Sequence, residues 1–329
     1  MTGQRTVALS LVIPAYGEGE HLAESLATIQ GVMDSIGETY EVIVVDDGSR
    51  DDSWAVIVAL SRSDARVRGF RLSRNFGKEP AICAGIEAAT GDALIVMDAD
   101  LQHPPSLIPE MVRIWRSGQS DVVEATKEPE SHESVVVGWR RKLFSASFRR
   151  LAGLDLEAAS DFRLFTRPVR EAWLRMGEKN LFFRGMLAWL GFRRVKLPFE
   201  VGERAAGKSR WSTGQLVVFA VRSLTAFSNV PIRLASLLGF AFFVFAVVMG
   251  TYALILKLNG SALTGFTTVI LLQLIIGSGT FLSLGIIGEY IGRIYEEVKN
   301  RPRYIVSEVT PPPSGPGTRV PGEAANEPT

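Results

Sequence analysis

The chain of 329 residues has one cysteine, Cys83, and three histidines. A single cysteine excludes an intramolecular disulfide, and so few Cys and His side chains offer no clustered zinc site. Cys83 lies in an apolar helical stretch and reads as a small core residue. Absence of disulfides fits a reducing compartment for the soluble part. No basic run with interleaved aromatics is present, which argues against nucleic-acid binding. No repeat of solenoid length is present either. Met1 to Val7 carries Arg5 but no long apolar run before Pro14, so no signal peptide is expected. Charge is scarce in one place only: between Leu234 and Gly288 the sole charged residue is Lys257. The net charge of +1 hides that segregation and says nothing about partners.

What is present begins with alternating elements. Val7 to Ile13 is an apolar run ending at Pro14 and reads as a buried strand. Glu18 to Ile36 places Leu22, Leu26, Ile29 and Met33 at helical spacing. Tyr40 to Val45 reads as a strand, Asp51 to Leu60 as a helix and Val67 to Leu72 as a strand. Lys78 to Ala89 reads as a helix, and Thr90-Gly91-Asp92 turns into a strand from Ala93 to Met97. Pro104-Pro105 opens a further helix, as proline does in a first turn. Such alternation predicts an α/β fold with a mostly parallel sheet covered on both faces. Ligands of such sheets bind beyond the carboxyl ends of the strands. Three polar motifs fall there: around Tyr16, at Asp46-Asp47, and at Asp98 to Asp100.

Two later segments, Ala235 to Leu256 and Thr267 to Gly288, are uncharged and long enough to cross a bilayer. Lys257 to Phe266 joins them. Arg222 and Arg233 precede the first; Arg293, Lys299, Arg301 and Arg303 follow the second. The positive-inside rule then puts both termini in the cytoplasm. Gly138 to Leu151 mixes Arg140, Arg141, Lys142, Arg149 and Arg150 with Trp139, Leu143, Phe144 and Phe148. That pattern suits a basic amphipathic helix on an anionic membrane surface, or an ordinary surface helix. After Ser307 the chain is rich in Pro, Gly, Glu and Thr and reads as disordered.

Asp98-Ala99-Asp100 ends an apolar strand. Alternation along an extended segment would point both carboxylates to one side, where they could share a divalent cation. Oxygen-only ligation suits Mg²⁺ or Mn²⁺, which also bridge phosphate oxygens. Asp46-Asp47-Gly48-Ser49 admits a plainer reading as a turn and helix cap.

Six segments in this order resemble one family. They are Val12-Ile13-Pro14-Ala15-Tyr16-Gly17-Glu18, Val45-Asp46-Asp47-Gly48-Ser49, Asn75-Phe76-Gly77-Lys78, Asp98 to Pro105, Ser160-Asp161-Phe162-Arg163-Leu164, and Gly207-Lys208-Ser209. From about Leu11 to Val306 the chain resembles the polyprenyl-phosphate branch of the family 2 glycosyltransferases. It is similar to dolichol-phosphate mannose synthase and to bacterial undecaprenyl-phosphate glucosyl- and aminoarabinosyl-transferases. The resemblance implies a GT-A fold in which Pro14, Tyr16, Glu18, Val45 and Asp47 hold a nucleotide-sugar, Asp47 near the base. Asp98, Ala99 and Asp100 would bind ribose, diphosphate and Mg²⁺ or Mn²⁺, with Gln102 beside them. Lys127 stands where the family often has an arginine near the donor, which keeps charge but loses the bidentate fork. Gly17 replaces the usual Asn. Arg204, Lys208 and Arg210 would meet the diphosphate or the phosphate of the acceptor, or else be membrane-surface charges.

The resemblance also divides the chain. A cytoplasmic GT-A catalytic domain covers 1–210, with the amphipathic helix at about 138–152. A juxtamembrane helix covers 211–233. Two transmembrane helices, about 235–256 and 267–288, lie within 234–292, and a cytoplasmic tail covers 293–329. The implied reaction is an inverting displacement at the plasma membrane, by a polyprenyl phosphate (undecaprenyl or decaprenyl) on a nucleotide-sugar, UDP-glucose first among donors. A homotetramer is also implied. Asp100 would act through the metal. Asp161 is a base, an acceptor-positioning group, or a structural partner of Arg163. Competing readings are a processive polysaccharide synthase and a non-catalytic membrane scaffold. Two spans enclose no polymer channel, Gly207 occupies the Gln position of the Gln-x-x-Arg-Trp motif, and Asp47, Asp98 and Asp100 are intact.

Overall fold

A computed structural model describes residues 7–127, 159–179, 181–199, 230–259 and 265–311. Those residues fall into two compact units. The first carries an eight-stranded sheet and its helices; the second carries a pair of long helices.

The sheet unit opens with β1 (Leu9–Ala15), α1 (Leu22–Ile36), β2 (Tyr40–Asp46), α2 (Ser53–Ser63), β3 (Val67–Leu72), α3 (Lys78–Ala88) and β4 (Ala93–Val96). Its strands β3, β2, β1 and β4 pair in parallel in that spatial order. A short 3₁₀ turn, Pro105–Leu107, leads into α4 (Ile108–Arg116), and β5 (Val122–Lys127) follows. Then come β6 (Ala159–Thr166), α5 (Arg167–Leu174), α6 (Phe183–Trp189) and β7 (Arg194–Phe199). β6 runs antiparallel to β4 and β5, and β7 runs parallel to β5. The alternation legible in the sequence is therefore a mostly parallel sheet, as expected.

Burial explains these assignments. Every residue of β2 is buried, and so is every residue of β4. A strand covered on both faces needs a continuous apolar run rather than alternation. Of the two acidic residues in β2, Asp46 ends the strand and Glu41 lies inside it, buried but answered. Its carboxylate accepts from Ser10 Oγ at 2.7 Å, from the Thr90 amide and hydroxyl at 2.7 Å each, and from Arg68 at 2.8 Å. That network ties β1 and β2 to the turn before β4. On α1, Leu22, Leu26, Ile29 and Met33 form the buried stripe. Cys83 is fully buried in α3, and burial pushes its thiol up to about 11, which makes it a core group rather than a nucleophile.

One expectation needs correction. The composition after Ser307 predicts disorder, yet Val306–Val309 forms β8, an edge strand antiparallel to β3; the rest of that tail, 312–329, lies outside the described residues. Its pairing is fixed by side chains that composition does not weigh. Glu308 meets Arg71 at 2.8 Å and the Trp54 indole at 3.0 Å, and Thr310 Oγ1 accepts from the Gly69 amide at 2.9 Å. Arg303 reaches the carbonyls of Glu178 and Met176, and Tyr304 donates to Glu87. The sheet unit thus regains the chain at Pro302, after the long helices.

The second unit holds α7 (Val230–Leu258) and α8 (Phe266–Val298). Both are long and apolar enough to cross a membrane, and large side chains such as Phe240, Phe243 and Phe281 face outward along them. In a soluble protein such a surface would be covered. The amphipathic stretch near 138–152 and nearly all of 211–233 lie outside the described residues.

Candidate active site

The strand order β3-β2-β1-β4 reverses direction of growth at β1, and a crevice opens beyond the carboxyl ends of β1, β2 and β4. A cavity of about 330 Å³ lies there. Pro14, Tyr16 and Glu18 enter it from the end of β1, Asp47 from the end of β2, and Asp98, Ala99 and Asp100 from the end of β4. Seven residues expected at a nucleotide site therefore share one wall system. Of the remaining contributors, Ala15, Asn75, Gly77 and Lys78 stand in the family-like segments without an assigned role, and only Ala81 lies outside them.

Local geometry builds this crevice. Gly17 has φ of +68°, a backbone state that glycine adopts freely and asparagine tolerates. Its amide donates to Ser49 Oγ at 3.0 Å, which links the β1 and β2 loops. Gly48 has φ of +69°, and a Cβ there would lie 2.4 Å from the Arg74 carbonyl carbon. Only glycine fits that approach. Asp46 does serve a turn, accepting from the Ser49 amide at 3.0 Å. Asp47 does something else: its two oxygens accept from the amides of Phe76 and Gly77 at 2.7 and 2.8 Å. Burial pushes the Asp47 carboxyl up, and those amide bonds partly offset it. Asp47 thus shapes the Asn75–Lys78 loop while facing the cavity.

The acidic triplet departs from the extended picture. β4 ends at Val96, Ala99 and Asp100 lie in a turn, and Leu101 has φ of +53°. Alternation along a strand therefore does not aim Asp98 and Asp100. A turn closed by the Gln102 amide donating to Asp100 Oδ1 at 3.1 Å does so instead. A positive φ at a non-glycine residue is strained backbone, and such strain gathers at functional sites.

Three elements far apart in sequence meet beside Asp98. Lys78, at the start of α3, places Nζ 2.6 Å from Asp98 Oδ1 and 2.6 Å from Asp161 Oδ2. Arg184 in α6 grips Asp161 through Nε at 2.7 Å and a terminal nitrogen at 3.0 Å. Burial alone would push the Asp161 carboxyl up; the Arg184 hydrogen bonds and charge, with Lys78, hold it well below the usual carboxylate range. A carboxylate so stabilised is a weak proton acceptor. The expected partner Arg163 is instead buried against Glu124 at 3.4 Å. Next to Lys78, Glu79 accepts from the Phe183 amide at 2.7 Å, and burial pushes its carboxyl up to about 7. Lys78 was visible in a motif without a role. Arg184 and Glu79 gave no signal, since lone charges in helices are ordinary.

Other expected residues divide. Val45 is fully buried in the middle of the sheet and does not line the cavity, because β2 is covered on both faces. Gln102 is exposed and outside the cavity lining. Lys127 ends β5, with its backbone in register with Phe199. Arg204, Lys208 and Arg210 lie outside the described residues.

The donor set can be weighed against a divalent cation. Among the described residues, no group of three or more His, Cys, Asp or Glu side chains is placed to hold a metal ion. Asp98 and Asp100 nonetheless bring two carboxylates to one cavity. Burial, then the negative charge of Asp100, pushes Glu18 up, with Asp51 and Asp98 adding to it. A lysine ammonium rests on Asp98. The corner favours positive charge, and a ligand's phosphate oxygens would complete a Mg²⁺ or Mn²⁺ shell.

Comparison with known proteins agrees with this geometry. Residues 10–174 match the family described as Glycosyl transferase family 2. The chain is 37% identical over 309 residues to the glycosyltransferase YkcC of Bacillus subtilis, covering 92% of this chain and 94% of that protein. It is 33% identical over 303 residues to a prophage bactoprenol glucosyl transferase homolog of Escherichia coli, covering 92% and 99%. Among solved structures, a mannosyltransferase of Pyrobaculum calidifontis in complex with GDP-Man and Mn²⁺ is 15% identical, with a TM-score of 0.44 and coverage of 85% and 88%. The sheet is that of the GT-A fold. The chain belongs to glycosyltransferase family 2.

Proposed function

We propose that the protein transfers one sugar from a nucleotide-sugar, UDP-glucose first, to the phosphate of a polyprenyl phosphate at a membrane surface. The observation that carries this reading is the joining of an acidic strand-end cavity to two bilayer-length apolar helices in one chain. The Escherichia coli relative, named for bactoprenol glucosyl transfer, supports a lipid acceptor and a glucosyl donor. The charge distribution around the helices favours a cytoplasmic face for the sheet unit and both termini.

In the reaction, an ionised oxygen of the acceptor phosphate forms a bond to the anomeric carbon. The bond from that carbon to the donor's β-phosphate oxygen breaks, and its electron pair leaves with the nucleoside diphosphate. The acceptor phosphate is already ionised near neutral pH, so no proton need be removed. A divalent cation held by Asp98 and Asp100 would offset charge on the leaving diphosphate. Tyr16, Pro14 and Glu18 would border the nucleotide, and Asp47 would hold the loop that closes over it. Lys78 and Arg184 supply positive charge on the other side of Asp98. Asp161 orients these two cations rather than acting as base. Arg204, Lys208, Arg210 and Lys127 are proposed as further phosphate contacts.

The test is nucleoside diphosphate release from a panel of nucleotide-sugars, with and without polyprenyl phosphate. Release from one donor that depends on the lipid supports the proposal. Release that ignores the lipid, or none from any donor, contradicts it.

A further inference from the structure

The site already contains a cation of its own. Lys78 Nζ lies 2.6 Å from Asp98 Oδ1 and 2.8 Å from Asp98 Oδ2, so both oxygens of that carboxylate face the ammonium. The same nitrogen lies 2.6 Å from Asp161 Oδ2. A divalent cation on the Asp98 oxygens would stand within about 4 Å of Nζ, and like charges that close repel strongly away from bulk water. The two therefore compete for Asp98.

The neighbours determine what moves. Asp161 is anchored by two bonds from Arg184, at 2.7 and 3.0 Å, and does not follow Lys78. The Lys78 backbone is fixed at the start of α3, just after the two amides clamped by Asp47. About two fifths of the Lys78 side chain is exposed, and the residue lines the cavity. We propose that Lys78 is an internal counter-ion that holds the Asp98 position until a divalent cation displaces it, whereupon the ammonium, still tethered to Asp161, turns to a phosphate oxygen in the cavity. This rests on the assignment of Asp98 and Asp100 as the cation's ligands.

Charge balance supports the exchange. Lys78 and Arg184 answer Asp98 and Asp161. Arrival of a dication releases one ammonium, and arrival of a diphosphate gives that ammonium a partner. Lys78 thereby couples cation loading to phosphate binding. A purely structural lysine, bracing α3 against the end of β4, would have no such exchange.

The experiment is Mn²⁺ binding to the detergent-solubilised full-length protein without nucleotide, so that Lys78 has no phosphate to turn to, counting free Mn²⁺ by electron paramagnetic resonance. Lys78→Met removes the competitor, and Mn²⁺ should bind about five- to tenfold tighter than to wild type. Lys78→Arg keeps the charge and should not tighten binding. Asp161→Asn leaves Lys78 to rest on Asp98 alone and should weaken Mn²⁺ binding. That weakening should shrink when Lys78→Met is also present. The Asp161→Asn result keeps the test independent of how Lys78→Met folds. Equal or weaker binding by a folded Lys78→Met, or unchanged binding by Asp161→Asn, would overturn the proposal. No Mn²⁺ binding by any of the proteins would instead overturn the assignment of Asp98 and Asp100 as ligands.

Discussion

At the scale of single residues, the fold converts ordinary side chains into a charged cluster. Asp161 is held by Arg184 and Lys78, and its depressed carboxyl stays ionised throughout the neutral range. If it positions cations rather than taking a proton, Asp161→Asn lowers kcat by about ten- to a hundredfold through misplaced partners. The shape of the pH–rate profile between about pH 6 and 9 should be unchanged, as expected where no group with a pKa in that window is removed. Loss of an acid limb in the variant would restore the base. Gly48 offers a structural counterpart. Its positive φ and its close approach to Arg74 leave no room for a methyl group. Gly48→Ala should destabilise the protein by about 2–4 kcal/mol, read from denaturant unfolding of the sheet unit's tryptophan signal.

Residues at strand ends were legible because position and chemistry coincide there. Pro14, Tyr16, Glu18, Asp47, Asp98 and Asp100 each follow an apolar run and each reach the cavity. Val45, a motif neighbour of Asp47, still belongs to the buried strand and stays outside the cavity lining. Lys78, Glu79 and Arg184 draw their meaning from Asp161, which is distant from all three in sequence. No local pattern encodes that meeting.

At the scale of elements, periodicity carried most of the information. Continuous apolar runs gave β1, β2 and β4, and a helical stripe gave α1. β8 escaped because a four-residue edge strand, exposed at every position, has no buried face to imprint a pattern. Its role is nonetheless definite. The segment from Pro302 to Thr310 ties to α3 through Tyr304 and Glu87 and to β3 through the ladder. α3 is also the helix that presents Lys78. A chain ending after Arg301 should lose about 1–3 kcal/mol of sheet-unit stability, whereas one ending after Pro311 should match the full chain. Thermal unfolding of the two truncations checks this. Equal midpoints would show that the strand contributes nothing.

At the scale of the whole molecule, the sequence separates charge from apolarity, and the structure carries the same division into a sheet unit and a helical unit. The two lengths of uncharged sequence correspond to α7 and α8, and both helices run beyond them, α7 back to Val230 and α8 on to Val298. The strand-end cavity and the long apolar helices thus belong to different parts of one chain. The account's central claim is that they serve one transfer. The most direct measurement is the mass of the lipid product formed when membranes containing the protein receive UDP-glucose and polyprenyl phosphate. A lipid heavier by one hexose, formed with wild type and lost with Asp98→Asn, is the predicted result. A lipid bearing a growing polymer, or sugar appearing only on water-soluble products, would contradict it.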